Sequence, residues 1–246
     1  MADDRVTGRV GDYTVTFSPI LGHGAFGSVH QANHPVSDKT YAAKQIFLPD
    51  GCQENEYMRK LAERELEIIR NIHDHENIVR LYDHVMKPNA CWIFLEFCDL
   101  GNLHQYLMKH TDLDLMAKVK LFRQTSSPVA FMHSQDPPII HRDIKLENIM
   151  MKREGIEDVV KITDFGLSKI CEEKKSLSKA FHQGHFMTTT CGSQYFMAPE
   201  FSAEFRGGVR YDSSVDTFAL GLVHLVILES GPGARLVPLS GRRTFI

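Results

Sequence analysis

The chain has 246 residues, 43% of them hydrophobic, which is enough to bury a sizeable core in one large domain or two lobes and excludes a disordered chain. Its 28 basic and 31 acidic residues leave a formal charge of -3, which excludes a global attraction to nucleic acid or an anionic membrane, so any phosphate binding must be local. The five cysteines (Cys52, Cys91, Cys98, Cys171, Cys191) contain no CxxC pair, which argues against a disulfide framework or zinc ribbon and for a reducing, cytoplasmic or nuclear, setting.

In chain order, "MADDRVTGRVGDY" has neither an apolar nor an Arg-rich amphipathic stretch, so no targeting signal is expected, and residues 1–12 read as an N-terminal extension. "YTVTFSPILGHGAFGSVHQANHP" alternates polar and apolar residues, turns on glycines and resumes its alternation at Ser28 and Val29: strand, tight turn, strand. "KTYAAKQIFL" is a third strand. Met58, Leu61, Leu66 and Ile69 recur at helical spacing in "ENEYMRKLAERELEIIRNI", an amphipathic helix. "NIVRLYDHVM" and "ACWIFLEFC" are two further strands around the turn "KPN". After "CDLGN" the pattern turns helical, over about 102–110, 114–134 and 213–229, which places a lobe boundary near Cys98 to Gly101 and divides the chain into 13–97 and 98–246. Pro128 falls inside the second of these helices, where a kink is expected. The run "FALGLVHLVIL" is too short to span a bilayer and carries His224, so it reads as a buried helix, with no membrane insertion. The polar stretch "CEEKKSLSKAFHQGHFMTTTCGSQ" is too long for a simple connection. Its His182, His185 and Cys191 lack a fourth well-spaced ligand for zinc, and "HDHEN" at 73–77 reads as a helix-to-strand turn.

Four stretches carry chemistry. Gly22, Gly24 and Gly27 in "LGHGAFGSV" have a G-x-G-x-x-G spacing shared with dinucleotide-binding folds. There, however, the glycines open a helix, whereas here Ser28 and Val29 continue as a strand, and there is no G-K-[ST]. A glycine hairpin of this kind can bring backbone N–H groups over phosphates without side-chain obstruction. Lys44, on a strand with apolar neighbours, needs an anionic partner, and Glu65 is the candidate among Glu63, Glu65 and Glu67 because Ile68 and Ile69 follow it as the apolar stripe requires. "HRDIKLEN" sets Asp143 beside Arg142, with Lys145 and Asn148 following. "KITDFGLSK" places Asp164 at a strand exit, a carboxylate suited to Mg²⁺ and phosphate oxygens. Each stretch has an ordinary reading as hairpin, surface pair or turn, and Asp216 near the start of the last helix is compatible with capping.

Their order is more specific than any one of them. "GHGAFG", "AAK", Glu65, "HRDIKLEN", "DFG" and "APE" follow one another as the signature set of eukaryotic protein kinases does, and residues 13–229 resemble that family. The resemblance implies an α+β, two-lobed protein-kinase-like fold, with a small antiparallel β lobe carrying one helix and a second, mainly helical lobe. It implies a serine/threonine kinase that uses ATP and Mg²⁺ on protein hydroxyls, since Lys145 stands where tyrosine kinases usually place other residues. By the same likeness Asp143 would orient the substrate hydroxyl, Lys145 would steady the transferred phosphate, Asn148 and Asp164 would hold magnesium, and Lys44, paired with Glu65, would grip the phosphates. Leu21, Gly22, Gly24, Gly27, Val29, Ala42 and Met150 would enclose the nucleotide. Leu95 would be the gatekeeper, and Glu96 and Cys98 would offer backbone hydrogen bonds. Ile69, Leu81, His141 and Phe165 resemble the family's hydrophobic spine, anchored by Asp216.

Arg142 before the catalytic acid implies activation-loop phosphorylation by an upstream kinase. Thr189 is the expected acceptor beside Thr188 and Thr190, with Arg142 and Lys169 as partners for the phosphate. Ser193 takes the place of the family's usual threonine. Two departures stand out. The stretch from Asp164 to Glu200 is long for the family, and helices expected after Asp216, with the arginine that pairs with Glu200, are not evident before Ile246. An incomplete large lobe, and with it the alternative of a catalytically silent binding module, follows as an expectation.

Overall fold

The computed structural model describes residues 5–24, 27–37, 39–48, 53–166, 168–170, 196 and 213–231. The chain divides into two compact units, Met1–Asp99 and Leu100–Ile246.

The first unit is an antiparallel sheet of β1 (Val6–Val10), β2 (Tyr13–Ser18), β3 (Gly22–Gly24), β4 (Gly27–Asn33), β5 (Thr40–Phe47), β6 (Leu81–Lys87) and β7 (Ala90–Glu96), with one helix, α1 (Gln53–Ile72). The strands lie in the order β1-β2-β4-β5-β7-β6, with β3 paired to β4. Period-two alternation sends Tyr41 and Ala43 of β5 to one face of the sheet, into a cluster with Tyr13, Trp92 and Phe94. There the Tyr13 ring stacks on Phe94 at 3.7 Å and meets Tyr41 edge-on at 5.4 Å. Strand β7 is buried along its whole length, as its uninterrupted apolar run requires of a central strand. Helix α1 buries Ala62, Glu65, Leu66, Ile69 and Ile72, a stripe at helical spacing.

The stretch expected as an N-terminal extension is part of this sheet. Val6–Val10 pairs with β2, and Val10 is 2% exposed within the aromatic cluster. "VTGRV" is short and broken by a glycine, which masks its strand pattern. Gly8 is small because the Phe17 ring lies 2.8 Å from where a Cβ would stand.

In the second unit, α2 (Leu103–Lys109) starts at a capping box, in which Asn102 accepts from the Gln105 N–H at 2.9 Å and Gln105 Oε1 accepts from the Asn102 N–H at 3.1 Å. α3 (Leu115–His133) is capped by Asp114 and runs unbroken through the buried Pro128. Then come β8 (Ile139–Ile140), a 3-10 turn (Leu146–Asn148), the hairpin β9 (Ile149–Glu154) and β10 (Glu157–Ile162), β11 (Lys169–Ile170) paired with β8, and α4 (Ser214–Glu229). α3 packs on α4, where Thr125 Oγ1 and His224 Nε2 are 2.9 Å apart and Lys118 Nζ donates to the carbonyls of Leu228 and Ser230. Among the described residues no helix is long and apolar enough to cross a membrane.

Candidate active site

The first unit contributes a cation and a glycine hairpin. Lys44 lies opposite Val29 on β4 and Ile93 on β7, on the face of β5 away from the aromatic cluster. Its Nζ donates to Glu65 Oε1 of α1 at 2.6 Å, with side-chain exposures of 12% and 5%. Such a pair repays its desolvation only with good geometry, and here the carboxylate fixes the position of the ammonium. Nearby, burial foremost and then the Glu65 charge push the Cys91 thiol up to about 11, so it stays neutral.

The hairpin is built on close backbone approach. A Cβ on Gly27 would lie 1.7 Å from the Gln45 carbonyl oxygen, so only glycine lets β4 meet β5 here. A Cβ on Gly22 would meet nothing within 4 Å. Leu21, 48% exposed, donates its N–H to the Val29 carbonyl and closes the base of the hairpin. Ala42 lies on the Lys44 face, and opposite it on β7 is the buried Leu95. The Glu96 N–H is spent on the Arg80 carbonyl at 2.9 Å, while its carboxylate accepts from the Arg80 N–H. Cys98 is buried beyond the end of β7.

The second unit brings the charged loop together around one carboxylate. Asp143 Oδ2 accepts from Lys145 Nζ at 2.7 Å and from Asn148 Nδ2 at 2.8 Å, and Asn148 Nδ2 also reaches the Asp143 carbonyl at 2.9 Å. Three residues that sequence spacing could only suspect are thus one hydrogen-bonded cluster, with Asp143 and Lys145 13% and 17% exposed. The loop is held from below. Asp216, 1% exposed, accepts from the His141 and Arg142 N–H groups at 2.8 Å each and lies 2.9 Å from His133 Nε2. Burial pushes its carboxyl up, but the His133 hydrogen bond and the two backbone donors outweigh this and hold it below the ordinary carboxylate value. Asp216 is therefore an anchor of the loop, and the N-cap Ser213 makes no side-chain capping bond either.

His141, fully buried, lies 3.1 Å from the Thr163 carbonyl through Nε2 and accepts the Asp143 N–H at Nδ1. A carbonyl only accepts, so the nitrogen facing it, Nε2, is a donor. The same ring meets Phe165 edge-on at 5.2 Å. Arg142 and Asp164 both have φ 66°, a left-handed backbone uncommon outside glycine and concentrated at functional sites. Met150 on β9 is half-buried and bridged to Asn102.

No group of three or more metal-ligating His, Cys, Asp or Glu side chains occurs among the described residues. The oxygen set of Asn148 and Asp164 nevertheless fits magnesium, which takes one or two protein oxygens and completes its shell with phosphate and water. Because Asn148 Nδ2 is directed at Asp143, Oδ1 is the atom with ligand chemistry. The sequence reading missed the β9–β10 hairpin, and it had only by resemblance the anchoring role of Asp216. That residue lies more than seventy residues from its partners, and no local spacing signals it. The expectations for Thr188, Thr189, Thr190, Ser193, His182, His185, Cys171, Cys191, Cys52 and Glu200 lie outside the described residues, as does the Lys169 side chain.

Comparison with known proteins identifies the family. The family model "Protein kinase domain" matches residues 15–234. The chain is 31% identical over 208 residues to serine/threonine protein kinase OSK3 of Oryza sativa subsp. indica, covering 85% of this chain and 37% of that protein. It is 30% identical over 223 residues to serine/threonine-protein kinase 33 of Mus musculus, covering 88% and 42%, and 32% identical over 214 residues to protein kinase domain-containing protein ppk9 of Schizosaccharomyces pombe, covering 86% and 36%. The chain thus spans about two-fifths of the length of these relatives. By the family model and by the cluster around Asp143, the chain belongs to the protein kinase domain family.

Proposed function

We propose that the chain is a protein serine/threonine kinase that transfers the γ-phosphoryl group of ATP to a protein hydroxyl. The observation that carries the reading is the convergence of Lys145 and Asn148 on Asp143 Oδ2, on a loop pinned through its own backbone by the buried Asp216. Phosphoryl transfer asks the protein for positioning and charge neutralisation more than for covalent chemistry, and this loop supplies both. Asp143 orients the substrate hydroxyl and takes up its proton. Lys145 places positive charge beside the group in transfer, and its bond to Asp143 fixes where that charge stands. Lys44, aimed by Glu65, holds the phosphates of the nucleotide. Asn148 and Asp164 would hold Mg²⁺, which supplies charge neutralisation at the phosphate oxygens when bound.

Arg142 and the threonines at 188–190 support a regulatory reading, in which a phosphate on Thr189, set there by an upstream kinase, pairs with Arg142. The test of the main reading is transfer of labelled phosphate to a generic protein with Asp143→Asn as control. Equal activity of Thr189→Ala and fully phosphorylated wild type removes the regulatory part alone.

A further inference from the structure

The nucleotide reading uses one face of the glycine hairpin, and the other face carries a second polar system that this reading does not employ. Ser28 and His30 are on β4, 6% and 4% exposed, opposite Gln45 and Ala43 and therefore on the face away from Lys44. Ser28 Oγ is 2.7 Å from His30 Nε2, and His30 Nδ1 is 3.3 Å from the Thr16 carbonyl oxygen. Since that carbonyl only accepts, Nδ1 carries the proton, Nε2 accepts, and Ser28 is the donor. Ser28 Oγ also donates towards Gln45 Oε1 at 3.4 Å, a longer contact that shares the same hydroxyl proton.

The position of His30 in the sheet gives this chain its point. β4 is paired by β2 only as far as Gln31, opposite Thr16, and is paired by β3 from Val29 to Gly27. His30 therefore stands at the gap where β2 leaves β4 and the hairpin begins. Its ring spans that gap, with one nitrogen on the last paired residue of β2 and the other on the residue next to Gly27. The ring is gripped from the side by Phe17 at 5.5 Å and Trp92 at 5.6 Å. A buried Ser–His pair could suggest nucleophilic chemistry, but both side chains face the aromatic core, where a substrate has no access.

We propose that Ser28 and His30 are positioning residues for the phosphate-binding hairpin: the Ser28–His30–Thr16 chain fixes the hairpin base to β2, from behind, at the height at which its backbone meets the nucleotide. The inference rests on the kinase reading. Loosening this chain leaves Lys44, Asp143 and Asn148 in place while releasing the strand that carries Gly27 and Val29, so nucleotide affinity falls more than the rate of the bound complex.

The test compares Ser28→Ala, His30→Phe, His30→Asn and the Ser28→Ala/His30→Phe double variant. Phenylalanine keeps the ring packing and loses both hydrogen bonds. Asparagine keeps a donor for the Thr16 carbonyl. Affinity for Mg·ADP is read by calorimetry, KM for ATP and kcat by phosphate transfer, and folding by thermal melting. Ser28→Ala is expected to weaken Mg·ADP binding and raise the ATP KM about five-fold, as loss of one buried hydrogen bond implies, and His30→Phe, which loses two, is expected to do so at least as much. The account further expects kcat within about two-fold, partial recovery in His30→Asn, and a double variant no worse than His30→Phe. Unchanged Mg·ADP affinity in a folded Ser28→Ala variant, or additive losses in the double variant, overturns the proposal. A wild type that binds Mg·ADP without transferring phosphate sinks the kinase reading alone, because the binding measurements still decide the role of Ser28 and His30.

Discussion

Lys44 on β5 and Glu65 on α1 meet at 2.6 Å with almost no solvent around them, so one bond both ties the helix to the sheet and aims the ammonium. These two roles separate on mutation. Lys44→Met strands a buried carboxylate and should cost about 3 kcal/mol of stability as well as activity. Pairing it with Glu65→Leu removes the stranded charge, so the double variant should melt close to wild type while remaining inactive. Urea unfolding alongside a phosphate-transfer assay reads both; a double variant that regains activity would show that the pair matters only to the fold.

Gly27 and Gly22 stand in the same hairpin and should respond oppositely to alanine. At Gly27 the new methyl collides with the Gln45 carbonyl, so β4 and β5 must separate, and a loss of about 2 kcal/mol or more with weakened nucleotide binding is expected. At Gly22 the space is open, and stability should stay within about 0.5 kcal/mol. Equal melting temperatures for the two variants would contradict the packing described.

Asp216 makes the stability of the second unit depend on acid. Its folded-state pKa lies below the ordinary carboxylate value of 3.8, so its contribution is complete above that value and is lost as pH falls through the folded pKa. Asp216→Asn should therefore flatten the fall in stability below about pH 4. The same variant should reduce phosphate transfer at pH 7, because the His141 and Arg142 N–H groups lose a charged acceptor. Denaturant midpoints between pH 2 and 7 check the first outcome, and an unaltered acid slope would count against it.

Much of this was legible in the chain. The α1 stripe, the Lys44–Glu65 pair, the order of the strands from Tyr13 to Glu96 and the helices of the second unit follow from periodicity and turn residues, because local pattern dictates which face is buried. The strand Val6–Val10 was not, since five residues interrupted by Gly8 carry too little alternation to stand out. Asp216 was locally compatible with capping and was an anchor only by family resemblance, because its partners are two backbone N–H groups far away in sequence. Ser28 and His30 gave no signal either. A serine and a histidine two apart on a strand are ordinary until β2 is seen to part from β4 between Gln31 and Val29.

Cys91 is a chemically quiet cysteine. It is fully buried and its thiol is pushed up to about 11, so alkylation of the native protein at pH 8 should leave it unmodified until the first unit unfolds. Peptide mass spectrometry after iodoacetamide treatment reads this, and rapid native labelling would contradict the packing of β7 against α1.

On the proposed function, the Asp143 cluster moves a phosphoryl group. The most direct test of this is single-turnover transfer from γ-labelled ATP with Mg²⁺ to a protein acceptor, comparing wild type with Asp143→Asn at matched nucleotide occupancy. The account predicts labelled phosphoserine or phosphothreonine from wild type and a loss of about 10²-fold or more in the variant, with nucleotide affinity little changed. Transfer at the same rate by both proteins, or none from a folded, ATP-bound wild type, would contradict it.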